Sequence, residues 1–221
     1  MISKEKSFIF VHICKTAGTS VGSALRPYLN FLHQKGVHAT AADYVDVLGA
    51  SFEDYFTFCV VRNPYDWMVS LFEYIRGEPA HFQYDLVSPM SFDEFVDFHN
   101  STNGFKQSDW VYIEGKRNMS FVARFESLAE DFAKITDILD LDASLPHLNS
   151  SAQRGAWEVY YTYETRKKMV SYFAEDFANF GYCTDISEKE NRTLPELNEM
   201  FGLDQLRNLP QRVRGRRLQA A

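Results

Sequence analysis

Six consecutive residues, Lys15-Thr16-Ala17-Gly18-Thr19-Ser20, combine an ammonium group, a glycine and three hydroxyls. In a turn that opens a helix, these residue types can hold an anion. The N–H groups of a first helical turn point at the ligand, and the helix dipole favours negative charge there. Gly18 lets the backbone approach closely, Lys15 adds a mobile charge, and Thr16, Thr19 and Ser20 add donors. The same residues also suit an ordinary strand-to-helix turn with Thr19 or Ser20 as N-cap. The order is not that of a Walker loop, in which lysine follows the second glycine and a Ser/Thr holds magnesium. Here no glycine precedes the lysine and the magnesium-holding GK[ST] is missing. A second group runs from Arg62 to Ser70, RNPYDWMVS. An arginine at the carboxyl end of a buried strand is costly without an anionic partner, and its planar fork suits a phosphate. Ser70, two helical turns on, adds a donor. The competing reading pairs Arg62 with Asp66.

The elements that must position these groups follow from pattern. Phe8 to Ile13 is a continuous apolar run, as a buried parallel strand reads, and Phe56 to Arg62, FTFCVVR, is another buried strand. A helical pattern begins near Val21 and stops around Arg26-Pro27. Asn63-Pro64 is an N-cap followed by a proline at the first helical position. Ser91 to Glu94 is a capping box. Ser120 to Phe125 is a third strand, and helices are expected over Leu128 to Leu141 and Tyr163 to Phe177, with Gly181 as a stop. The alternation predicts an α/β fold with a central, mainly parallel sheet flanked by helices. In such sheets ligands sit beyond the carboxyl ends of the strands. The loops Cys14–Ser20 and Arg62–Pro64 are expected there.

Composition narrows the function classes. The chain has 221 residues, 23 basic against 30 acidic, a net charge of −7. Five arginines and no acid lie between Arg207 and Ala221, so the rest of the chain is more acidic still. That argues against nucleic acid as a partner and for a few focused groups wherever an anion binds. The basic terminus reads as a solvated end or an interaction arm. Three widely spaced cysteines give neither a disulfide framework nor a zinc site and suit a reducing compartment. No run approaches the 18 apolar residues of a membrane span.

Taken together, KTAGTS after FIFVHI and VVRNPYDWMVSLF resemble the two nucleotide-binding elements of sulfotransferases that use 3′-phosphoadenosine 5′-phosphosulfate (PAPS). The likeness is closest to the carbohydrate-directed group that includes heparan and chondroitin sulfotransferases and small bacterial members. Gln107 to Trp110, Ala123 to Glu126, Leu145 to Asn149, Glu175 to Phe177 and Phe180 to Tyr182 follow the same order, so the resemblance covers Phe8 to Tyr182. It implies a P-loop-NTPase-like sulfotransferase fold, a catalytic domain over residues 1–185 and a polar, basic extension over 186–221. It implies that Lys15, Thr16, Ala17, Gly18, Thr19 and Ser20 hold the 5′-phosphosulfate and that Arg62 and Ser70 hold the 3′-phosphate. Arg154, in SSAQRG, is the candidate for a further basic loop. The acceptor would be a hydroxyl of a glycan or a small molecule, and no metal would be required. Animal members carry a Golgi membrane anchor that this chain lacks, which implies a soluble, cytoplasmic enzyme.

Sulfuryl transfer resembles phosphoryl transfer, a loose in-line displacement aided by positioning and charge stabilisation. Lys15 and the loop N–H groups are aimed where charge grows on the leaving oxygen. The acceptor hydroxyl must lose a proton, and histidine is the usual base near neutral pH. In related carbohydrate sulfotransferases the base lies between the two cofactor elements. His38 is assigned that role, with His33 in reserve and Glu53 or Asp109 as acidic alternatives. His12 reads as a packed core histidine. Tyr65, Trp67, Trp110 and Trp157 are either a sugar platform or core. Two further function classes stand beside the transferase: a P-loop kinase for a small molecule, and a catalytically silent nucleotide-binding homologue.

Overall fold

The computed structural model describes residues 1–30, 34, 36–146 and 156–185. In chain order its elements are β1 (Ile2–Ser3), β2 (Phe8–Val11), α1 (Gly18–Leu25), α2 (Ala41–Leu48), β3 (Phe56–Val61), α3 (Pro64–Gly77), α4 (Tyr84–Val87), α5 (Phe92–Ser101), α6 (Ser108–Val111), β4 (Tyr112–Ile113), β5 (Lys116–Arg117), β6 (Phe121–Arg124), α7 (Leu128–Leu139), α8 (Tyr163–Tyr172) and α9 (Ala174–Asn179), with short 3-10 turns between them. The chain divides into two compact units. Among the described residues, one is built from Met1–Val61 and residues 107–146, the other from Arg62–Lys106 and residues 156–185.

The first unit carries a four-stranded sheet in the order β1-β2-β3-β6. β2, β3 and β6 run parallel, and β1 is antiparallel to β2. The register places Phe10 beside Phe58 and Phe58 beside Phe121, with Phe8 beside Phe56 and Val60 beside Ala123. These side chains share one face because successive strand residues alternate. Val21 and Leu25 of α1 and Phe132, Ile135 and Leu139 of α7 close over that face as one core. The Phe10 and Phe58 rings stack at 5.1 Å. Each fully buried phenylalanine contributes roughly 2–3 kcal/mol. Ile9, Val11, Thr57, Cys59 and Val61, on the other face, are buried as well. Burial on both faces is what a continuous apolar strand requires. Because β2 and β3 are parallel neighbours, the chain leaves both strands at the same end of the sheet.

A 12-residue helix, α7, stops at Asp140, whose left-handed backbone closes it. The β4–β5 hairpin turns on Glu114 and Gly115, both at positive φ, as a tight two-residue loop demands. α2 has a complete capping box: the Asp43 N–H donates to Thr40 Oγ1 at 3.2 Å, and the Thr40 N–H donates to Asp43 Oδ2 at 2.8 Å.

The second unit is helical. Asn63 Oδ1 accepts from the Tyr65 N–H at 3.0 Å, and Pro64 occupies the first turn of α3. Both halves of the Ser91–Glu94 box open α5. The fully buried Trp67 meets His99, Phe105 and Phe173 edge-on. Lys168 on α8 spans Asp93 and Asp97 of α5 at 3.1 and 2.8 Å. The Tyr161 hydroxyl donates to the Tyr65 carbonyl at 2.8 Å, and the Tyr65 hydroxyl donates to the Thr184 carbonyl at 2.7 Å. These two bonds pin the start of α3 from both sides.

His99 lies buried in this aromatic cage. Burial pulls its pKa down to about 4. An unfolded histidine titrates near 6.5, so below that pH the unfolded chain takes up a proton that the folded chain refuses. Stability is therefore full above pH 6.5 and is lost as pH falls toward 4, by up to about 1.4 kcal/mol per pH unit. Urea denaturation between pH 7 and 5 should show this decline, and His99→Phe should flatten it. An unfolding free energy that stays level across the interval in the unsubstituted protein contradicts a neutral, buried ring.

Candidate functional site

After Val11 the chain continues through His12 and Ile13 and turns at Cys14-Lys15. Lys15 and Ala17 both adopt left-handed backbone, at φ 61 and 66. Each such residue without a glycine's freedom costs of order 1 kcal/mol or more, and such residues cluster at ligand sites. Ala17 is the N-cap of α1, and no side chain caps the helix. Its carbonyl accepts from the Ser20 and Val21 N–H groups at 3.0 and 3.1 Å. Thr19 and Ser20 thus lie inside the first turn rather than capping it. Thr16 is fully buried and its hydroxyl donates to the Ile13 carbonyl at 2.9 Å. That hydroxyl ties the loop together. Cys14 is half-buried, and burial pushes its thiol up to about 12, so it stays protonated.

Gly18 has a steric reason beyond access for an anion. A Cβ at this position would fall 1.7 Å from His12 Nε2 and 1.8 Å from its Cδ2. The imidazole of His12 lies against the bare Cα and stacks on Phe10 at 5.6 Å. His12 is only 8% exposed. Its pKa is lowered to about 3, first by burial and then by the charges of His38 and the Met1 amino group. It is a neutral imidazole throughout the physiological range.

His38 is exposed, just before α2. Its Nδ1 lies 3.0 Å from the His12 carbonyl. A carbonyl only accepts, so Nδ1 carries a proton, and in the neutral imidazole the lone pair is then on Nε2. Trp110 Nε1 donates to the His38 carbonyl at 2.9 Å. The two imidazole rings are 4.5 Å apart between centroids. The first unit thereby assembles Lys15–Ser20, His12 and His38 in one place, at the carboxyl end of β2.

The second unit holds Arg62 and Ser70. Arg62 is 5% exposed and its Nε donates to Asp66 Oδ2 at 2.6 Å, one turn into α3. The ion pair named as the alternative partner of Arg62 is therefore present. It engages the guanidinium through its Nε edge and fixes the side chain along the helix start. Ser70 is buried on α3. Tyr65, Trp67 and Trp110 are buried and pack; Tyr65 stacks on Trp157 at 5.7 Å. Three of the four aromatics considered for a sugar platform thus belong to the interior. Arg154 and His33 lie outside the described residues, as does the basic terminus from Arg207 onward. Glu53 and Asp109 are exposed. Among the described residues, no group of three or more His, Cys, Asp or Glu is placed to hold a metal ion.

The contact between His12 and Gly18 gives a test. In an open helix Gly→Ala gains about 1 kcal/mol from propensity. Here Gly18→Ala should instead lower stability by roughly 1–3 kcal/mol through overpacking, and adding His12→Ala should recover most of the loss. Denaturation of the two single variants and the double variant checks the coupling. A Gly18→Ala protein more stable than the parent contradicts the close approach.

Searches of curated proteins and of solved structures return no match. A family model described as the sulfotransferase family matches residues 1–183. The match includes the sheet, the Lys15–Ser20 loop, His38 and α3, which makes a chance match to one short motif untenable; the chain belongs to the sulfotransferase family.

Proposed function

We propose that the protein transfers the sulfuryl group of PAPS to a hydroxyl of a glycan or small-molecule acceptor. The observation that carries this reading is the first turn of α1, left without a side-chain cap behind two strained residues. Such a turn presents backbone N–H groups and the positive end of a helix to an anion. Gly18 leaves the space that the His12 ring fills beside the turn. These features fit a phosphosulfate group. Family membership supports the reaction class.

When bound, PAPS supplies an activated sulfuryl group. Lys15 and the N–H groups of Ala17 to Thr19 hold the 5′ end and stabilise charge on the leaving phosphate oxygen. Arg62 and Ser70 hold the 3′-phosphate, with Asp66 orienting the guanidinium. His38 takes the acceptor's proton at Nε2, because its Nδ1–H is committed to the His12 carbonyl. Arg154 is proposed as a further contact to the donor. The catalytic domain is taken as residues 1–185, with 186–221 as an extension. No helix among the described residues is long and apolar enough to cross a membrane. A cytoplasmic location belongs to the same proposal, in keeping with three cysteines that form no disulfide.

Thermal unfolding in the presence of a chelator tests the donor assignment. Adenosine 3′,5′-bisphosphate at a hundred times its Kd should stabilise the protein by about 2.7 kcal/mol, without magnesium. Lys15→Ala should lower transfer of labelled sulfate by roughly a hundredfold or more while keeping part of the binding. Arg62→Ala should weaken bisphosphate binding. Equal stabilisation by magnesium-ATP would favour a kinase. Unchanged bisphosphate affinity in Arg62→Ala contradicts the 3′-phosphate contact.

A further inference from the structure

The sulfotransferase reading leaves His12 without a task, yet the residue sits at the centre of the loop's geometry. Three observations define it. Its Nδ1 is buried and meets no hydrogen-bond partner. Its Nε2–Cδ2 edge lies against the Cα of Gly18, the first residue of α1. Its backbone carbonyl fixes His38 with the proton on Nδ1.

A neutral imidazole has one N–H to place. On Nδ1 it would be a donor buried without an acceptor, which folded proteins rarely tolerate; an acceptor lone pair left alone costs less. The proton therefore belongs on Nε2, the nitrogen that faces the loop. The groups whose charges act on the ring are His38 and the amino group of Met1, and both disfavour a second proton. Stacking on Phe10 holds the ring plane. The two neighbouring histidines thus carry opposite tautomers, one set by an unpartnered buried nitrogen and the other by a carbonyl.

We propose that His12 is a neutral donor of the anion loop: its Nε2–H hydrogen-bonds the 5′ anionic group that Lys15–Ser20 cradles, while His38, in the opposite tautomer, accepts the proton of the acceptor hydroxyl. This rests on the reading of the loop as a PAPS site and adds a ligand contact to it. A neutral donor has a chemical advantage beside a lysine. It binds the oxygens without adding a second positive charge, and its strength does not change between pH 6 and 8. It also explains why the glycine sits at position 18: the donor needs the space a side chain would fill.

Two measurements decide the matter. Long-range proton–nitrogen NMR of the protein labelled with ¹⁵N-histidine reports tautomers without ligand or activity. His12 should show a bare Nδ1 and a protonated Nε2, and His38 the reverse. Calorimetric titration with adenosine 3′,5′-bisphosphate then compares the parent with His12→Phe, which keeps a ring against Gly18, and His12→Gln, which keeps an N–H donor. Affinity should fall roughly tenfold or more in His12→Phe, the usual effect of losing a hydrogen bond to a charged group, and recover in part in His12→Gln. Melting of each unliganded variant reports whether it folds, and the tautomer measurement stands if His12→Phe does not. His12 protonated on Nδ1 overturns the proposal. So does a folded His12→Phe that binds as tightly as the parent, or a His12→Gln no better than His12→Phe. In those outcomes a parent protein that binds the bisphosphate leaves the sulfotransferase reading intact; a parent that does not bind it overturns both.

Discussion

The imidazole of His12 and any side chain at position 18 would occupy the same volume, and much of the loop's construction follows from that exclusion. With glycine at 18, the ring stacks on Phe10 and lies against the start of α1. The helix then begins at Gly18, capped only by the left-handed Ala17. The His12 carbonyl, held at the end of β2, is presented to His38. One steric contact thus ties the end of β2 to the start of α1.

Such a loop needs a rigid base. Lys15 and Ala17 are held in left-handed backbone that costs of order 1 kcal/mol or more each, and His12 is kept from charging by burial. The stacked phenylalanines of β2, β3 and β6, closed by α1 and α7, supply the stability that offsets these costs. The second unit solves a related problem at Arg62. An arginine side chain only 6% exposed is tolerable because Asp66 answers it one turn along α3. The bond of the Tyr161 hydroxyl to the Tyr65 carbonyl keeps that turn in place.

The strands were legible because Phe8–Val11, Phe56–Val61 and Phe121–Arg124 are buried on both faces and rich in apolar residues. The α3 start was legible in Asn63-Pro64, and α5 in Ser91–Glu94. Other features depended on contacts that no local pattern encodes. α1 starts three residues earlier than its periodicity indicates, since a left-handed alanine caps it where a hydroxyl residue is the usual signal. The helix expected over Tyr163 to Phe177 breaks at Phe173, whose ring packs on Trp67 and His99. α2 went unread because an aspartate completes its capping box in place of the usual glutamate or glutamine. Lys15–Ser20 and His38 are candidates from the chain alone, and the structure brings them together in the first unit. His12 could not be given more than a core role, because its contact with Gly18 joins a strand end to a helix start. Spacing did hold one clue: a histidine just before the loop and a single glycine within it.

The central proposal is that Lys15–Ser20 and the Arg62–Ser70 stretch bind one doubly phosphorylated adenosine. A crystal structure of the protein with adenosine 3′,5′-bisphosphate tests it most directly. The 5′-phosphate should lie within hydrogen-bonding distance of the Lys15–Ser20 backbone and the 3′-phosphate against Arg62. A nucleotide bound elsewhere, or one whose 3′-phosphate makes no contact with Arg62 or Ser70, contradicts it.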